Sequence, residues 1–382
     1  MRPHRPLRQD SSIASLLKSI PALARGPGLV CALVVLAPAP VALAQAQAYR
    51  IQELGTLGGS FSVAVGLNAR GQVVGHSSIH GDSAQHAFLY SDGRMQDLGT
   101  LGGTNSFADA INELGQVAGT SYTAGNSSFR AFVYNNGSMV DIGTLGGASS
   151  YAQAINGRGD VVGDALVSAS SPSHAYLFRN GALTDLGTFG GTRSFGTGIN
   201  AEGQVVGYGY TAGDSELHAF VYKGGPMIDL GTLGGSKSYA QAINSAGQVV
   251  GTAYIAGDAS LHAFLYEGGS MRDLGTLGGS SSFAYGVNDQ GLVVGTSNVS
   301  GADNAHAFVY RDGVMQDLNE LADAAASGWT LSSARAINAS GQIAGFGTYK
   351  GRTMAFLLTP ANAANARLPA LEGAEIAGFQ VR

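Results

Sequence analysis

Short apolar runs alternate along this chain with glycine-rich and polar connections, and the whole pattern returns every 44 residues. The hexamer Leu54-Gly55-Thr56-Leu57-Gly58-Gly59 recurs with its first residue at Leu98, Ile142, Leu186, Leu230 and Leu274, and in degenerate form at Leu318. A fixed period of this length is the mark of an array of supersecondary units. Within the copy at 230–273, the hexamer reads as a connection and residues 238–244 (SYAQAIN) as a short small-residue strand. Asn244-Ser245-Ala246-Gly247 has the composition of a tight turn. Gln248-Val249-Val250-Gly251 opens a second strand, residues 255–260 form a polar loop, and His262-Ala263-Phe264-Leu265-Tyr266 is a third strand. After Glu267-Gly268-Gly269 turns the chain, residues 271–274 form a fourth. No segment carries helical periodicity over ten residues.

Four short antiparallel strands per period describe a propeller blade, whereas a β-helix coil is shorter and repeats one turn. The asparagine that ends the first strand recurs at Asn68, Asn112, Asn156, Asn200, Asn244, Asn288 and Asn338, which gives seven units. The last step is longer and holds Trp329, the only tryptophan. The final unit stops after its third strand, and the array begins with an orphan fourth strand at 49–54. Pairing these pieces closes a ring and removes its open edges. The expected fold is therefore an all-β, seven-bladed propeller of four-stranded antiparallel blades over residues 45–360, closed by residues 49–54. The Ala-rich tail 361–382 lacks a clear period and reads as a flexible extension.

Composition changes this picture at the N-terminus. Arg2, Arg5, Arg8, Lys18 and Arg25 precede an apolar run that ends at Pro38 and Pro40, followed by Ala42-Leu43-Ala44. That is the order of a secretory signal peptide, residues 1–44, cut after Ala44. The run is too short to span a bilayer, so no membrane span is expected in the mature chain. Cleavage removes Cys31, the only cysteine, and leaves no disulfide or thiol chemistry. It also removes those five basic residues and Asp10, a segment of charge +4, so the formal charge of −5 becomes −9. This acidity argues against nucleic acid as a partner. An exported monomer, periplasmic or extracellular, is expected.

The units read as x-D-L-G-T-L-G-G, then A-x-x-I-N-x-x-G-Q-V-V-G, then H-A-F-L-Y. This pattern resembles the HAF-repeat family of bacterial extracellular repeat proteins, through His86-Ala87-Phe88, His218-Ala219-Phe220, His262-Ala263-Phe264 and His306-Ala307-Phe308. The resemblance covers residues 49–359 and implies export and a β-propeller-like repeat, with no established catalytic activity. Departures are Arg130 and Met354 for His, Tyr176 for Phe, and Asn319-Glu320 in the last glycine motif.

Candidate chemistry is sparse. Five histidines recur at one strand position, but blade symmetry separates them too far to share a metal ion. An acid follows eleven residues later, which predicts braces His86/Asp97, Arg130/Asp141, His174/Asp185, His218/Asp229, His262/Asp273 and His306/Asp317 on one face of each hairpin. The aromatics Phe107, Tyr151, Phe195, Tyr239 and Phe283 read as wedges between blades. Asp82, Asp214 and Asp258 each stand alone, without calcium-loop spacing. The glycine hexamer has neither the Lys nor the helix of a phosphate loop. No catalytic residue, cofactor or metal is assigned.

Alternation of strands puts the uniform Asn-x-x-Gly turns on one face and the second-to-third connections on the other. Those connections are the variable stretches 76–85, 120–129, 164–173, 208–217, 252–261 and 296–305. Binding on repeat scaffolds favours such variable segments. Tyr122, Tyr208, Tyr210 and Tyr254 lie in or beside them, and the insertion with Trp329 enters the same face, so these five are the candidate ligand contacts. The reading that follows is an exported binding module for a glycan or protein at the cell surface or in the periplasm. The competing readings are a lyase- or glycosidase-type enzyme with acids gathered at the axis, and a structural cell-surface component.

Overall fold

Each period folds into four antiparallel strands because its apolar runs are too short for anything else and each is punctuated by turn residues. In the first unit these are Gly58–Leu67, Val73–Ile79, Gln85–Ser91 and Arg94–Asp97, paired in that order. The structure is a computed structural model that describes residues 49–169, 172–301 and 304–361. The leader 1–44 with its cleavage point, and residues 362–382 of the tail, lie outside the described residues.

Two element boundaries differ from expectation. The inner strand begins inside the glycine hexamer, at Gly58 rather than four residues later, and the same holds at Gly102, Gly190, Gly234 and Gly278. The second glycine of each pair makes this possible: a Cβ at Gly103, Gly191 or Gly235 would collide with Tyr122, Tyr210 or Tyr254 of the neighbouring strand. The stretches expected as variable loops are also about half strand. Val73–Ile79 runs into a three-residue 3-10 turn, His80–Asp82, before the third strand starts. Serines such as Ser77 made this segment look solvent-exposed, yet Ser77 is fully buried and accepts from the Leu57 amide.

The architecture is an all-β propeller of four-stranded antiparallel blades. Among the described residues six sheets are present rather than the seven expected: five have four strands and one has eight. The eight-stranded sheet spans the fourth and fifth repeat units, joined by one parallel residue pair, Leu217 with Lys237. The orphan strand Tyr49–Glu53 pairs antiparallel with Arg352–Pro360, from Tyr49 opposite Pro360 to Glu53 opposite Phe356.

Successive units are stitched twice. Ser62, Ser106, Ser150, Ser194, Ser238 and Ser282 are fully buried, and each donates to a glycine carbonyl of its own hexamer. Each also accepts from the alanine amide of the His-Ala-Phe strand one unit back, with Ala355 reaching Ser62 across the closure. The second stitch is the asparagine. Asn68 Oδ1 caps its own turn by accepting from the amides of Arg70 and Gln72, while Nδ2 donates to the carbonyl of Asn112. The relay continues from unit to unit at 3.0–3.2 Å, and Asn338 donates to Asn68. Asparagine fits because the site needs an acceptor toward its own turn and a donor toward its neighbour; aspartate lacks the donor.

The core is divided into wedges between units. A typical cluster joins Val74, Ala87 and Leu98 of one unit with Ala108, Val117, Phe132 and Tyr134 of the next. The third-strand aromatics Phe88, Phe132, Tyr176, Phe220, Phe264, Phe308 and Phe356 are fully buried in these wedges.

Candidate functional site: the axial cavity

The feature that builds the site is a bulge in the inner strand of every unit. In the first unit Ala64 pairs with Gly75 and Gly66 with Val74, which leaves Val65 unpaired. The same one-residue slip leaves Asp109, Gln153, Thr197, Gln241, Tyr285 and Arg335 unpaired in the others. Its cause is the glycine of the Val-Val-Gly step. A Cβ at Gly75 would land on the Val63 carbonyl oxygen, and one at Gly251 on that of Tyr239. Without those side chains the inner strand can buckle toward its partner, and the extra residue turns away from the ladder.

The bulged residues turn to the axis. A cavity of about 210 Å³ is bounded by Val65, Asp109, Thr197, Gln241, Tyr285 and Arg335 together with their strand neighbours. Leu67, Ile243, Val287 and Ile337 line both this cavity and a second one of about 250 Å³, which opens among the Asn-x-x-Gly turns. The bore therefore has three layers: a side-chain ring of mixed chemistry, an aliphatic ring, and the asparagine relay. The first layer lies toward the face of the second-to-third turns, because the inner strand runs from that face to the turn face.

Electrostatically the upper layer is unbalanced. Arg335 lies over the Tyr285 ring at 4.0 Å and 5.4 Å from the Phe346 ring centre. Its Nε is buried without a hydrogen-bond partner. Asp109 is half-buried at the lumen and has no hydrogen-bond partner among the described residues; desolvation pushes its carboxyl up to about 8. His76 packs against Phe61 and edge-on to Phe107. Burial, and secondarily the charge of Arg335, lower its imidazole to about 4. At neutral pH the carboxyl and the imidazole are thus both uncharged, and Arg335 carries the net charge of the layer.

Four of the expected ligand contacts come together. Tyr122 packs on Phe129 at 4.1 Å, and Phe129 on Tyr151 at 5.3 Å. Tyr208 stacks on Phe195 and meets Tyr239 edge-on. Tyr210 and Tyr254 both lie close enough to Tyr239 to raise its ionisation, after burial itself. Asp164 joins the two groups: burial pushes its carboxyl up to about 6, and its charge adds to the burial that holds Tyr151 high and Tyr208 near 12. The result is an arc of half-buried tyrosines along the second to fifth units.

Trp329 does not join them. It is 6% exposed, stacked on Tyr349 at 4.8 Å and edge-on to Phe356. The insertion that carries it is tied down at its two ends: Asp317 caps a one-turn helix, and Asn319 clamps the backbone of Leu331. A large apolar ring beside a buried leucine cluster gains more from the wedge than from the loop face.

The braces sit apart from the bore. Five of the six expected pairs close through Nδ1: His86 to Asp97 at 2.8 Å, His174 to Asp185 at 2.9 Å and His218 to Asp229 at 2.7 Å. His262 reaches Asp273 at 2.8 Å and His306 reaches Asp317 at 2.6 Å. The register explains it: Asp97 is opposite Phe88, two residues from His86, so the pair is diagonal on one face. The sixth pair departs from expectation. Arg130 is 4.0 Å from Asp141, and its Nε is buried without a hydrogen bond.

The acids also differ from simple brace partners, because they are exposed and shared. The side chains of Asp97, Asp141, Asp185, Asp229 and Asp273 are 41–46% exposed, as expected at the end of a short outer strand. Each accepts as well from the glycine amide two residues on, of Gly99, Gly143, Gly187, Gly231 and Gly275, at 2.7–2.8 Å. Asp229 ends the shortest of these strands, Ile228–Asp229, and its partner His218 also meets Glu216 through Nε2 at 3.3 Å. These aspartates therefore hold the turn into the next hexamer as much as they hold the histidine. The lone loop acids Asp82, Asp214 and Asp258 each accept from an inner-strand backbone amide, of Ser60, Thr192 and Ser236. No group of three or more metal-ligating side chains occurs among the described residues.

Sequence reasoning missed the bulge position. Its signal was present: three residues before each repeating asparagine stand Val, Asp, Gln, Thr, Gln, Tyr and Arg, in a segment whose other positions keep small, aliphatic or aromatic residues from unit to unit.

A scan against protein-family models finds no match, and neither does a search of curated proteins. Solved structures are similar at the level of architecture. The β-propeller domain of the Trilobed protease from Pyrococcus furiosus aligns at TM-score 0.47 and 10% identity, over 66% of this chain and 82% of that one. A putative TolB from Agrobacterium tumefaciens aligns at 0.45 and 12%, over 69% and 93%. XC5397 from Xanthomonas campestris, a gluconolactonase, aligns at 0.39 and 11%, over 82% and 96%. At these scores nothing about ligand or chemistry passes from them to this chain. No helix among the described residues is long and apolar enough to cross a membrane.

Proposed function

We propose that this chain is an exported binding module, a seven-bladed propeller of the HAF-repeat type that seats a glycan or protein group at the axial opening on the face of the second-to-third turns. The blade count rests on the asparagine relay, which visits seven units before it returns to Asn68, and on the single residue pair that joins the eight-stranded sheet. Binding rests on one observation. The units are near-copies where they build the fold and differ from one another where they face the cavity. The tyrosine arc supplies a half-exposed stacking surface beside it. The mature chain acts as a monomer, with no nucleic acid and no cofactor.

An enzyme remains the second reading, on the observation that Asp109 and Asp164 both have raised carboxyls and both act on the buried Tyr176. Tyr176 itself donates to the Tyr151 carbonyl at 2.9 Å, so its hydroxyl is not free to act as the acid or base. The structural-component reading has less support, because the large exposed apolar residues Leu114, Val140, Ile228 and Val314 do not come from one segment. A glycan array and a pull-down, each run with the wild type and with Thr197→Trp, test the binding reading. Ligands captured by the wild type and lost in the plugged variant support it; capture unaffected by the plug removes the axial site. Bond cleavage in a captured glycan, abolished by Asp109→Asn, would favour the enzyme.

A further inference from the structure

The chemistry of the cavity narrows the ligand class, and this step rests on the axial binding reading. Six of the seven bulge positions carry polar or charged side chains. Gln241 and Tyr285 bring neutral hydrogen-bonding groups to the wall, and Thr197, whose hydroxyl donates to the Ala240 carbonyl at 2.9 Å, adds an acceptor. Asp109 and Arg335 are on the same wall, and they do not pair with each other: no ion pair within 4 Å joins them. Burying an unpaired guanidinium edge is costly unless something accepts its hydrogen bonds. Cation–π contact with Tyr285 and Phe346 holds the guanidinium plane in place but leaves its Nε–H donor without a hydrogen-bond partner. A planar oxyanion is the partner that fits such a fork.

The other wall residues say what else the ligand carries. A protonated carboxyl both donates and accepts, as do glutamine and the hydroxyls of Thr and Tyr. That set suits a row of ligand hydroxyls and does not suit an ammonium group, which needs an ionised acid. A volume of about 210 Å³ holds one six-membered ring with its substituents, judged against the roughly 150 Å³ cavity that accepts benzene. The rings of Phe61, His76 and Phe107 form a connected aromatic edge in the first two units.

We infer that the axial cavity binds a single hydroxylated carboxylate of monosaccharide size, a uronic acid, with its carboxylate on Arg335 and its hydroxyls on Asp109, Thr197 and Gln241. The free acid and the acidic end of a glycan share this chemistry.

Isothermal titration of the whole chain at pH 7 tests this with galacturonate, digalacturonate, galactose and L-glutamate. The expected result is one-site binding of galacturonate at least about tenfold tighter than of galactose, a preference Arg335→Gln abolishes. Asp109→Leu, which removes a contact to the ligand hydroxyls, is expected to weaken galacturonate and galactose by similar factors, about tenfold, and to leave the preference for the acid in place. A digalacturonate affinity above that of the monomer identifies a glycan end as the ligand, and the reverse identifies the free acid. Equal affinity for galactose and galacturonate, or an Arg335→Gln variant that still prefers the acid, overturns the inference. So does tighter binding of glutamate that Asp109→Asn destroys. If neutral galactose binds as well as the acid and Thr197→Trp blocks both, the ligand class is wrong while the axial site stands. If no probe binds, the ligand class is wrong and the glycan array decides the axial reading; if a probe binds and the plug changes nothing, both fail. Thermal melts of each variant establish that it is folded.

Discussion

Two positions in the same repeat obey opposite rules. The third-strand aromatic is Phe in six units and Tyr in one, and it is fully buried in all seven. The inner-strand bulge holds six residue types in seven units and borders the lumen. The aromatic meets the same surroundings each time, a wedge between two near-identical sheets, so one side chain solves the packing problem everywhere. The bulge meets the axis, where all units share one space. Seven identical side chains there would offer any ligand seven equivalent poses. A ring with regular backbone and irregular lining can fix a single orientation, which is what specific binding of an asymmetric molecule requires.

The contrast is open to direct attack. Phe264→Ala empties a fully buried wedge and is expected to cost about 3–5 kcal/mol in urea unfolding, whereas Gln241→Ala, at the lumen, stays within about 0.5–1 kcal/mol. Equal costs would mean that the bore layer is part of the core. Gly251→Ala probes the link between the two. Its Cβ would strike the Tyr239 carbonyl, so the ladder must shift or the bulge must flatten. A loss of about 2–3 kcal/mol is expected, with large NMR shifts at Gln241, the residue the bulge aims. A neutral effect would show that the glycine does not create the bulge.

Much of this was legible in the chain. The period, the strand count, the closing strand and the diagonal His–Asp geometry follow from spacing, because a strand alternates with period two and a hairpin fixes register. The cavity was not legible. A bulge is a one-residue slip permitted by a missing Cβ on the partner strand, and the Val-Val-Gly glycine that allows it reads in sequence as ordinary strand-end punctuation. Trp329 misled for a different reason. Its position in an insertion suggested exposure, but ring size and the neighbouring Tyr349 decide for burial. The burial of the second-strand serines was not legible either, since their partners are backbone groups twenty residues away.

The bore layer also has a pH signature that the wedges lack. Asp109 has a folded pKa near 8, above its unfolded value, so the folded state holds an extra proton from about pH 4 to pH 8 and stability falls as pH rises through that window. Asp164, raised to about 6, contributes the same sign from about pH 4 to pH 6. His76, lowered to about 4, contributes the opposite sign from about pH 4 to pH 6.5, where the unfolded imidazole holds the extra proton. Between about pH 6.5 and pH 8, Asp109 is the one shifted group still titrating among the described residues. Wild-type stability is expected to drop there by about 1–2 kcal/mol, less than a full proton's worth because lumen water screens the half-buried carboxyl. Asp109→Asn should flatten that limb, and from about pH 4 to pH 6 the opposed contributions of Asp164 and His76 then nearly cancel. A wild-type profile already flat from pH 6.5 to pH 8 would place Asp109 in effective contact with solvent and weaken the case for a neutral carboxyl in the cavity.

The smallest effect is expected from the feature that recurs most visibly. The His–Asp braces repeat almost without change, yet Asp97, Asp185, Asp229 and Asp273 are each more than 40% exposed, so their pairing is screened. Asp273 also accepts from the Gly275 amide at 2.7 Å, and that backbone bond holds the turn into the next hexamer. Asp273→Ala therefore loses two interactions and His262→Ala only one. A double-mutant cycle separates them: a coupling of about 0.3–1 kcal/mol is expected for His262–Asp273. In the second unit Arg130 stands 4.0 Å from Asp141 with no hydrogen bond, and the coupling should fall toward zero. A coupling above about 2 kcal/mol in either unit would make these pairs principal supports of the fold. Recurrence along the chain would then track energy, instead of marking where each unit meets the same surroundings.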